Sequence, residues 1–337
     1  MKLSILKAQK GDAFLLEWGD SNKYSIIIDG GYPGTYNKQL KDKIEKLSNL
    51  KAIFVTHIDY DHIGGIIELL NDEDVSHNYE CYINTPELIV DKIKSSKVAY
   101  HHGDLLTKLL STKNIQAKSI FLPENKKLEI EGLILTILSP TFEILEKLKV
   151  DWNAYLLKEH LEKENKTSDK TSASINRIKP NDEILLEKES VYKWKDDTIN
   201  ASSIAFIAEY LGKKILFLGD SNPTLIEEQL RELGYRETTP LIVDIVKISH
   251  HGSKHNTTKN LLKLVKTESV VISTNQGGNS YHPNRDTVIK IAHCIQRKSD
   301  RLEFILNYDL DKSKFITQEE IIKYKLDFRV RSFKDLV

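Results

Sequence analysis

Four side chains that commonly bind metal ions fall within six residues of the chain, in the segment His57-Ile58-Asp59-Tyr60-Asp61-His62. Alternate residues of an extended segment point the same way. His57 and Asp59 can therefore reach one ion, while Asp61 and His62 turn toward a second. The alternative is a polar surface turn, but such a turn does not need two histidines and two aspartates at this spacing. The segment predicts a two-metal hydrolytic centre.

Secondary-structure patterns place this segment on a loop between a strand and a helix. The apolar run 52–55 predicts a buried strand before it, and residues 66–70 predict a helix after Gly64-Gly65. Other predicted strands repeatedly end in Asp or His, at Asp29, Asp220 and the pair His250-His251. Strands are predicted over 3–6, 13–18, 24–31, 80–84, 128–130, 133–140, 203–210, 214–220, 242–249 and 269–273.

Length and composition are typical of a soluble α/β enzyme. The chain has 337 residues, of which 40% are hydrophobic and 29% charged, and its formal net charge is zero. We expect one hydrolase domain over residues 1–337, with a polar, helical insertion at about 142–197. The absence of net charge means that no global field favours nucleic acid or a membrane, so an anionic substrate must be held locally.

Cysteine usage and the N-terminal residues predict a cytoplasmic protein. Cys81 and Cys294 are the two cysteines, and the first residues lack the apolar core of a secretory signal. No apolar run approaches the roughly 18–20 residues that a membrane span needs. We therefore expect no membrane partner.

Taken together, these blocks resemble the metallo-β-lactamase fold superfamily, whose His-x-His-x-Asp-His motif matches residues 57–62 with Asp59 in place of the second His. That replacement is similar to the soluble hydrolase domain of the ComEC family of DNA-uptake proteins. Further similarity to that branch lies in Gly11-Asp12-Ala13, in Asn200 to Ser203 with Leu218-Gly219-Asp220, and in His250-His251-Gly252-Ser253 with His282-Pro283. The resemblance implies a four-layered αββα sandwich.

The resemblance also implies roles for individual residues. His57, Asp59 and Asp220 would hold one metal, and Asp61, His62 and Asp220 the other, with Asp220 as the bridge. His250 or His282 would complete the sites, and Asp29 would orient a ligand. Asn200 lies in the region that replaces a ligand lost in this branch. Ser253 would bind a phosphate or cap the following helix, and Asp61 or His251 would manage protons.

These roles imply two divalent metal ions and a hydrolytic reaction. Zinc is the first expectation, while the aspartate ligands also suit Mn²⁺ or Mg²⁺. A metal-bound hydroxide would attack a phosphodiester bond, so the expected partner is a nucleic acid or nucleotide substrate. Two alternatives remain at this point: hydrolysis of a small ester, lactone or thioester, and a degenerate fold that only binds. His102 is left out of the ligand set, because it lies in a predicted helix start away from Asp220.

Overall fold

The computed structural model of the chain describes residues 1–85, 88, 101–161, 179–277 and 281–336, with the backbone alone for 101–102 and 153–161. No helix among these residues is both long enough and apolar enough to span a bilayer. In chain order the strands are β1 (Lys2–Ile5), β2 (Ala13–Trp18), β3 (Tyr24–Gly30), β4 (Leu50–Phe54), β5 (Glu80–Tyr82), β6 (Ala117–Lys118), β7 (Lys127–Ile130), β8 (Leu133–Ser139), β9 (Ala205–Tyr210), β10 (Lys213–Phe217), β11 (Leu241–Ile242), β12 (Ile245–Lys247), β13 (Val265–Thr267), β14 (Ser269–Ile272), β15 (Gln296–Arg297), β16 (Leu302–Leu306), β17 (Leu326–Val330) and β18 (Phe333–Asp335).

Helices connect these strands and cover the outer faces of the sheets. They are α1 (Pro33–Thr35), α2 (Lys41–Ile44), α3 (Tyr60–Asn71), α4 (His101–Thr112), α5 (Phe142–Leu161), α6 (Asn181–Leu186), α7 (Thr198–Ala201), α8 (Pro223–Glu232), α9 (Lys259–Lys263), α10 (Arg285–Cys294) and α11 (Gln318–Lys323). A π-helical turn, Tyr36–Leu40, joins α1 to α2. Short 3₁₀ turns occur at Trp194–Asp196, Ser249–Gly252 and Lys312–Lys314.

Two large sheets carry most of the strands. The first has the order β18-β1-β2-β3-β4-β5-β6, and the second β17-β16-β14-β12-β10-β9-β8-β7. In the first sheet β1, β2, β3 and β18 pair antiparallel, and β3 to β6 pair in parallel. The second sheet likewise joins an antiparallel part, β7 to β10, to a parallel part, β10-β12-β14-β16-β17. A small third sheet has the order β11-β13-β15.

The buried apolar side chains form three layers, one between the two large sheets and one between each large sheet and the helices that cover it. Strand β2 contributes to two of these layers: Phe14 and Leu16 pack between the two sheets, and Leu15 packs under the helices of the first sheet. A strand covered on both faces is apolar at nearly every position rather than at every second one. The third layer lies between the second sheet and the helices that cover it, including α8, α9 and α10. The four-layered αββα fold is thus confirmed.

The predicted hairpins are present, but one predicted strand is wrong. Residues 242–249 do not form a single strand, because β11 pairs with β13 of the small sheet whereas β12 pairs with β10 of the large one. Asp244 lies at the break, where its side chain accepts a hydrogen bond from the backbone of Lys214 at 2.8 Å. A charged side chain that binds a neighbouring backbone group competes with continuation of the strand.

The insertion at 142–197 is less peripheral than its composition indicates. Its first helix, α5, buries Ile144, Leu145, Leu148 and Trp152, of which Leu145, Leu148 and Trp152 pack in the layer under the first sheet. The especially polar part, 163–174, lies outside the described residues. The helical character of the insertion is therefore observed in its described parts, and the extent of the single domain stays a prediction.

Candidate metal centre

The carboxyl ends of several parallel strands meet at one edge of the sandwich and deliver the predicted site residues. The first sheet supplies Asp29 in β3, His57 after β4 and, at the start of α3, Asp61 and His62; the second supplies Asp220 after β10 and the pair His250-His251 after β12. A hydrogen bond from the backbone of Ile204 to the carbonyl of Thr56 joins the two sheets here, at 2.9 Å. Loops at this edge can therefore bring together residues that are distant in sequence.

Asp29 fixes the orientation of His62. Its carboxylate accepts hydrogen bonds from the backbone and hydroxyl of Thr56, at 2.8 and 2.7 Å, and its Oδ2 lies 2.8 Å from Nδ1 of His62. With Nδ1 held in this way, Nε2 of His62 faces the centre of the site. The resemblance implied an orienting role for Asp29, and this contact with His62 is compatible with that role.

Three imidazoles surround the carboxylate of Asp220. Its Oδ2 lies 3.5 Å from Nε2 of His251, 3.6 Å from Nε2 of His62 and 3.8 Å from Nε2 of His250. Burial alone would raise the pKa of the Asp220 carboxyl, but the three histidines hold this pKa well below its usual range. The same contact with Asp220 raises the pKa of His62 well above its usual value, against the effect of burial.

Three groups of donor atoms share His62, and one of them, Asp12 with Asp29 and His62, uses the carboxylate that orients the ring. The other two are the candidate metal groups. His57, His62 and Asp220 make one group, and Asp61, His62 and His251 make another, each with donor atoms within 4.8 Å of one another. This division differs from the predicted one, since His62 lies between the two groups and His251 joins the second. Asp59 lies beside the first group, with Oδ2 3.6 Å from Nε2 of His57.

Several buried donor atoms of this cluster have no hydrogen-bond partner within the described residues. They are Nε2 of His57, Nε2 of His62, Oδ1 of Asp220, Nδ1 of His250 and Nδ1 of His282. Buried polar atoms are rarely left unpaired, because each costs free energy that water or a partner would otherwise offset. Imidazole nitrogens and a carboxylate oxygen are the donors that zinc and similar divalent ions bind. The residues therefore fit a metal centre.

His282 lies beside His250, with 5.6 Å between the ring centroids. Burial and the neighbouring His250 and His251 lower the pKa of His282 to about 3. Burial also lowers the pKa of His250, although Asp220 acts in the opposite direction. Both rings are therefore neutral near pH 7, which is the form of imidazole that binds metal.

Asn200 and Ser253 make local contacts rather than contacts with the donor groups. Asn200 is in α7, and its side-chain amide donates to Asp197 at 2.8 Å. The hydroxyl of Ser253 accepts from the backbone of His255 at 3.3 Å. The cap of α9 is Thr258, whose side chain accepts from Leu261, so the capping alternative for Ser253 is not observed and the phosphate-binding alternative stays a prediction. His102 lies in the first turn of α4, in agreement with the helix-start interpretation.

Two residues at the site were not assigned a role from the sequence. Lys247 and Asp12 form a buried ion pair directly behind Asp220 and His251. The signal for Lys247 was present, because a lysine within the apolar run of β12 must have a partner if that strand is buried. Nothing local identified Asp12 as this partner.

Comparison with known proteins agrees with this architecture. Residues 7–80 match the family model of the Metallo-beta-lactamase superfamily, a stretch that contains Asp29 and the segment 57–62. The fold is that of the metallo-β-lactamase superfamily. No curated protein matches the chain in sequence.

Solved structures with a similar chain course share little sequence with this protein. Yeast PDE1, crystallised without ligand, has 11% identity and a TM-score of 0.48, with 98% of each chain covered. The metallo-beta-lactamase fold protein YhfI from Bacillus subtilis has 12% identity and a TM-score of 0.45, over 98% of this chain and 95% of its own. Zn²⁺-bound PqqB from Methylobacterium extorquens has 11% identity and a TM-score of 0.45 over all of both chains.

Proposed function

We propose that this protein is a metal-dependent hydrolase that cleaves phosphodiester bonds in nucleic acid or nucleotides, as the resemblance to the ComEC-like branch implies. The observation that carries this proposal is the position of Nε2 of His57 and of His62 around the carboxylate of Asp220, both buried and without a hydrogen-bond partner among the described residues. Such a donor set has no evident structural purpose, because apolar side chains would fill the same space without leaving polar atoms unpaired.

The donor groups support binding of two divalent ions, with zinc favoured by the imidazoles and manganese or magnesium by the carboxylates. His57, His62 and Asp220 would hold one ion, and Asp61 and His251 would contribute most of the second set. Ions bound there would supply Lewis acidity and lower the pKa of water near the substrate. Asp29 keeps Nε2 of His62 aimed at the centre.

One side of the cluster is open to solvent. The side chains of His57, His62 and Asp220 are almost fully buried, whereas those of Asp59, Asp61 and His250 are 42%, 22% and 29% exposed. A substrate can therefore approach from the side of these three residues. Asp61 is on this side, with Oδ2 3.8 Å from Nε2 of His251, and we assign proton transfer to one of these two residues.

Exposed tyrosines next to the site support a nucleic-acid or nucleotide substrate. Tyr60 directly precedes Asp61, and Tyr281 directly precedes His282; both side chains are exposed. Tyr192, also exposed, has its ring 4.5 Å from that of His255. The ammonium of Lys314 lies 5.2 Å from the ring centre of Tyr281. Aromatic rings stack on bases, and nearby lysines attract phosphates, which an uncharged ester or lactone would not need.

The proposal is tested by a substrate screen with metal-loaded protein. The panel contains single- and double-stranded DNA, RNA, cyclic dinucleotides and a set of lactones, each tested with Zn²⁺, Mn²⁺ and Mg²⁺. We expect cleavage of at least one phosphodiester substrate and its loss in the variant Asp61→Asn/His62→Ala. Turnover of lactones alone would replace the proposal with the small-ester alternative. Metal binding without turnover of any substrate would favour the non-catalytic alternative.

A further inference from the structure

A buried ion pair lies directly behind the candidate metal centre. Lys247 extends from β12 into the interior, and its ammonium contacts the carboxylate of Asp12, with both side chains 1% exposed. The ammonium also donates to the carbonyl of Gly219 at 3.2 Å. Removing two charges from water costs several kcal/mol for each ion, so a pair of this kind is weak evidence of a stabilising role. The position of this ion pair beside the candidate metal centre therefore needs another explanation.

Each partner of the pair contacts a different candidate ligand. Nζ of Lys247 lies 3.7 Å from Oδ1 of Asp220, whereas the shortest distances to the imidazoles involve Oδ2. Oδ1 of Asp12 lies 3.4 Å from Nδ1 of His251. The carbonyl of Ser273 lies 3.0 Å from the same nitrogen. The pair thus connects the ligand that follows β10 to one that follows β12.

We infer that Asp12 and Lys247 are positioning residues for the metal centre. The ammonium of Lys247 attracts Oδ1 of Asp220 at ion-pair distance, and Oδ2 is the oxygen nearest His62, His250 and His251. The carbonyl of Ser273 accepts a hydrogen bond from Nδ1 of His251, and the carboxylate of Asp12 attracts the same side of the ring, so that Nε2 is directed toward Asp220 and Asp61. The inference rests on one part of the proposed function, namely that divalent ions bind here.

The charges of the pair explain why two residues are needed rather than one. Lys247 alone would add a positive charge beside a cation site and would weaken metal binding by repulsion. Asp12 compensates this charge, so that the pair orients Asp220 without changing the net charge of the centre. Removing a contact that orients a metal ligand typically lowers metal affinity by about 10–100-fold.

The test is the double variant Asp12→Asn/Lys247→Met, which removes both charges and leaves neither buried alone. The matched control is Glu189→Gln/Lys290→Met. It removes a second ion pair, between buried Lys290 and partly buried Glu189, with 3.1 Å between Nζ and Oε1. Lys290 also donates to the carbonyls of Lys254 and Thr257. We would measure the Mn²⁺ dissociation constant by chelator competition and the visible spectrum of the Co²⁺-loaded protein.

We expect the Asp12→Asn/Lys247→Met variant to bind Mn²⁺ about 10–100-fold more weakly and to show an altered Co²⁺ spectrum, with the control close to wild type. Unchanged affinity and spectrum would overturn the inference, as would an equal loss in the control. If the double variant does not fold, the single variant Asp12→Asn is measured instead. A folded Asp12→Asn protein with wild-type Mn²⁺ affinity and Co²⁺ spectrum would also overturn the inference. A wild-type protein that binds no metal would instead refute the proposed function.

Discussion

At the scale of single residues, His62 occupies the central position of the candidate site. It is fully buried, its Nδ1 contacts Asp29, and its Nε2 belongs to both groups of donor atoms. Asp29 also accepts two hydrogen bonds from Thr56, so loss of the imidazole does not leave this carboxylate without donors. The proposed role of His62 in metal binding can therefore be tested separately from its contribution to folding.

We predict that Asp61→Asn/His62→Ala abolishes hydrolysis but leaves a folded protein. Two donor atoms of the second group are lost, whereas the apolar layers remain intact. The measurements are turnover on the active substrate, bound metal by elemental analysis, and circular dichroism. His77→Ala is the control, since His77 contacts the hydroxyl of Tyr79 and is outside the donor groups. Wild-type turnover by the folded double variant would contradict the assignment.

Asp220→Ala is predicted to lower both metal content and activity more severely than His282→Ala. Asp220 offers the central carboxylate to His62, His250 and His251, so its loss removes the anionic donor of the first group and leaves any bound ion without that charge. His282 is at the rim, beside His250. Elemental analysis of both proteins separates the two cases. Full metal content without Asp220, together with loss of metal without His282, would assign the central carboxylate elsewhere.

At the scale of elements, the close approach of loops positions Asp61. A Cβ atom on Gly11 would lie 1.9 Å from the carbonyl oxygen of Asp61, which real structures do not allow. A hydrogen bond from the backbone of Asp12 to the same carbonyl, at 3.3 Å, joins the β1–β2 loop to the start of α3. The absence of a side chain at Gly11 therefore permits this contact, which joins the β1–β2 loop to the segment that carries Asp61.

Gly11→Ala is predicted to displace Asp61 and to weaken both folding and metal binding. Forced rearrangement of packed atoms costs about 1–3 kcal/mol. Gly34→Ala, in α1, is the matched control, because no described atom lies within 4 Å of a Cβ placed there. Urea unfolding and metal titration of both variants provide the comparison. Equal behaviour of the two proteins would show that the loop adapts without cost.

The insertion at about 142–197 contains both a packed helix and a polar stretch. Helix α5 is anchored through Trp152, whereas the polar stretch 163–174 has few large apolar residues. Replacing 163–174 by a short Gly-Ser linker is predicted to leave metal binding intact and to change the Michaelis constant or the preferred substrate length. Steady-state kinetics on substrates of several lengths measure this. Unchanged kinetics on every substrate would favour a surface insertion without a role in substrate binding. Loss of bound metal would indicate that the stretch 163–174 contributes to the donor groups.

At the scale of the whole molecule, Arg285 of α10 connects helix α6, in the C-terminal part of the insertion, to helix α11. Its guanidinium donates to both carboxylate oxygens of Glu320, at 2.6 and 2.9 Å, and to Asn181 of α6 at 2.8 Å. The hydrogen bonds from Arg285 lower the pKa of Glu320 from its usual 4.5 to about 2, against the effect of burial. A bidentate, largely buried pair of this kind is stronger than an exposed one.

This pair predicts how stability depends on pH. Because the pKa of Glu320 is lower in the folded state, its stabilisation is fully present above about pH 4.5 and is lost as the pH falls toward 2. Glu320→Gln should therefore reduce the free energy of unfolding by roughly 1–3 kcal/mol near pH 7 and flatten its decline in acid. Urea unfolding of metal-free protein at several pH values measures this. Glu319→Gln, exposed on the same helix, is the control and should leave the acid dependence unchanged.

Local patterns in the sequence were sufficient for much of the fold. The hairpin at 131–132, helix α8 and the loop after β4 follow from alternation, turn residues and apolar runs, which depend on neighbours along the chain. The segment 57–62 predicted metal-dependent chemistry for the same reason, since its donor residues are adjacent in sequence.

Contacts between the two sheets could not be read from such patterns. The pairing of Asp12 with Lys247, the position of His251 among the donors and the division of 242–249 between two sheets all depend on how distant strands pack. The sequence by itself determined which residue types are available at the strand ends. Only the tertiary structure decided which oxygen meets which nitrogen, because packing of the two sheets brings these strand ends to one edge and orients each side chain there.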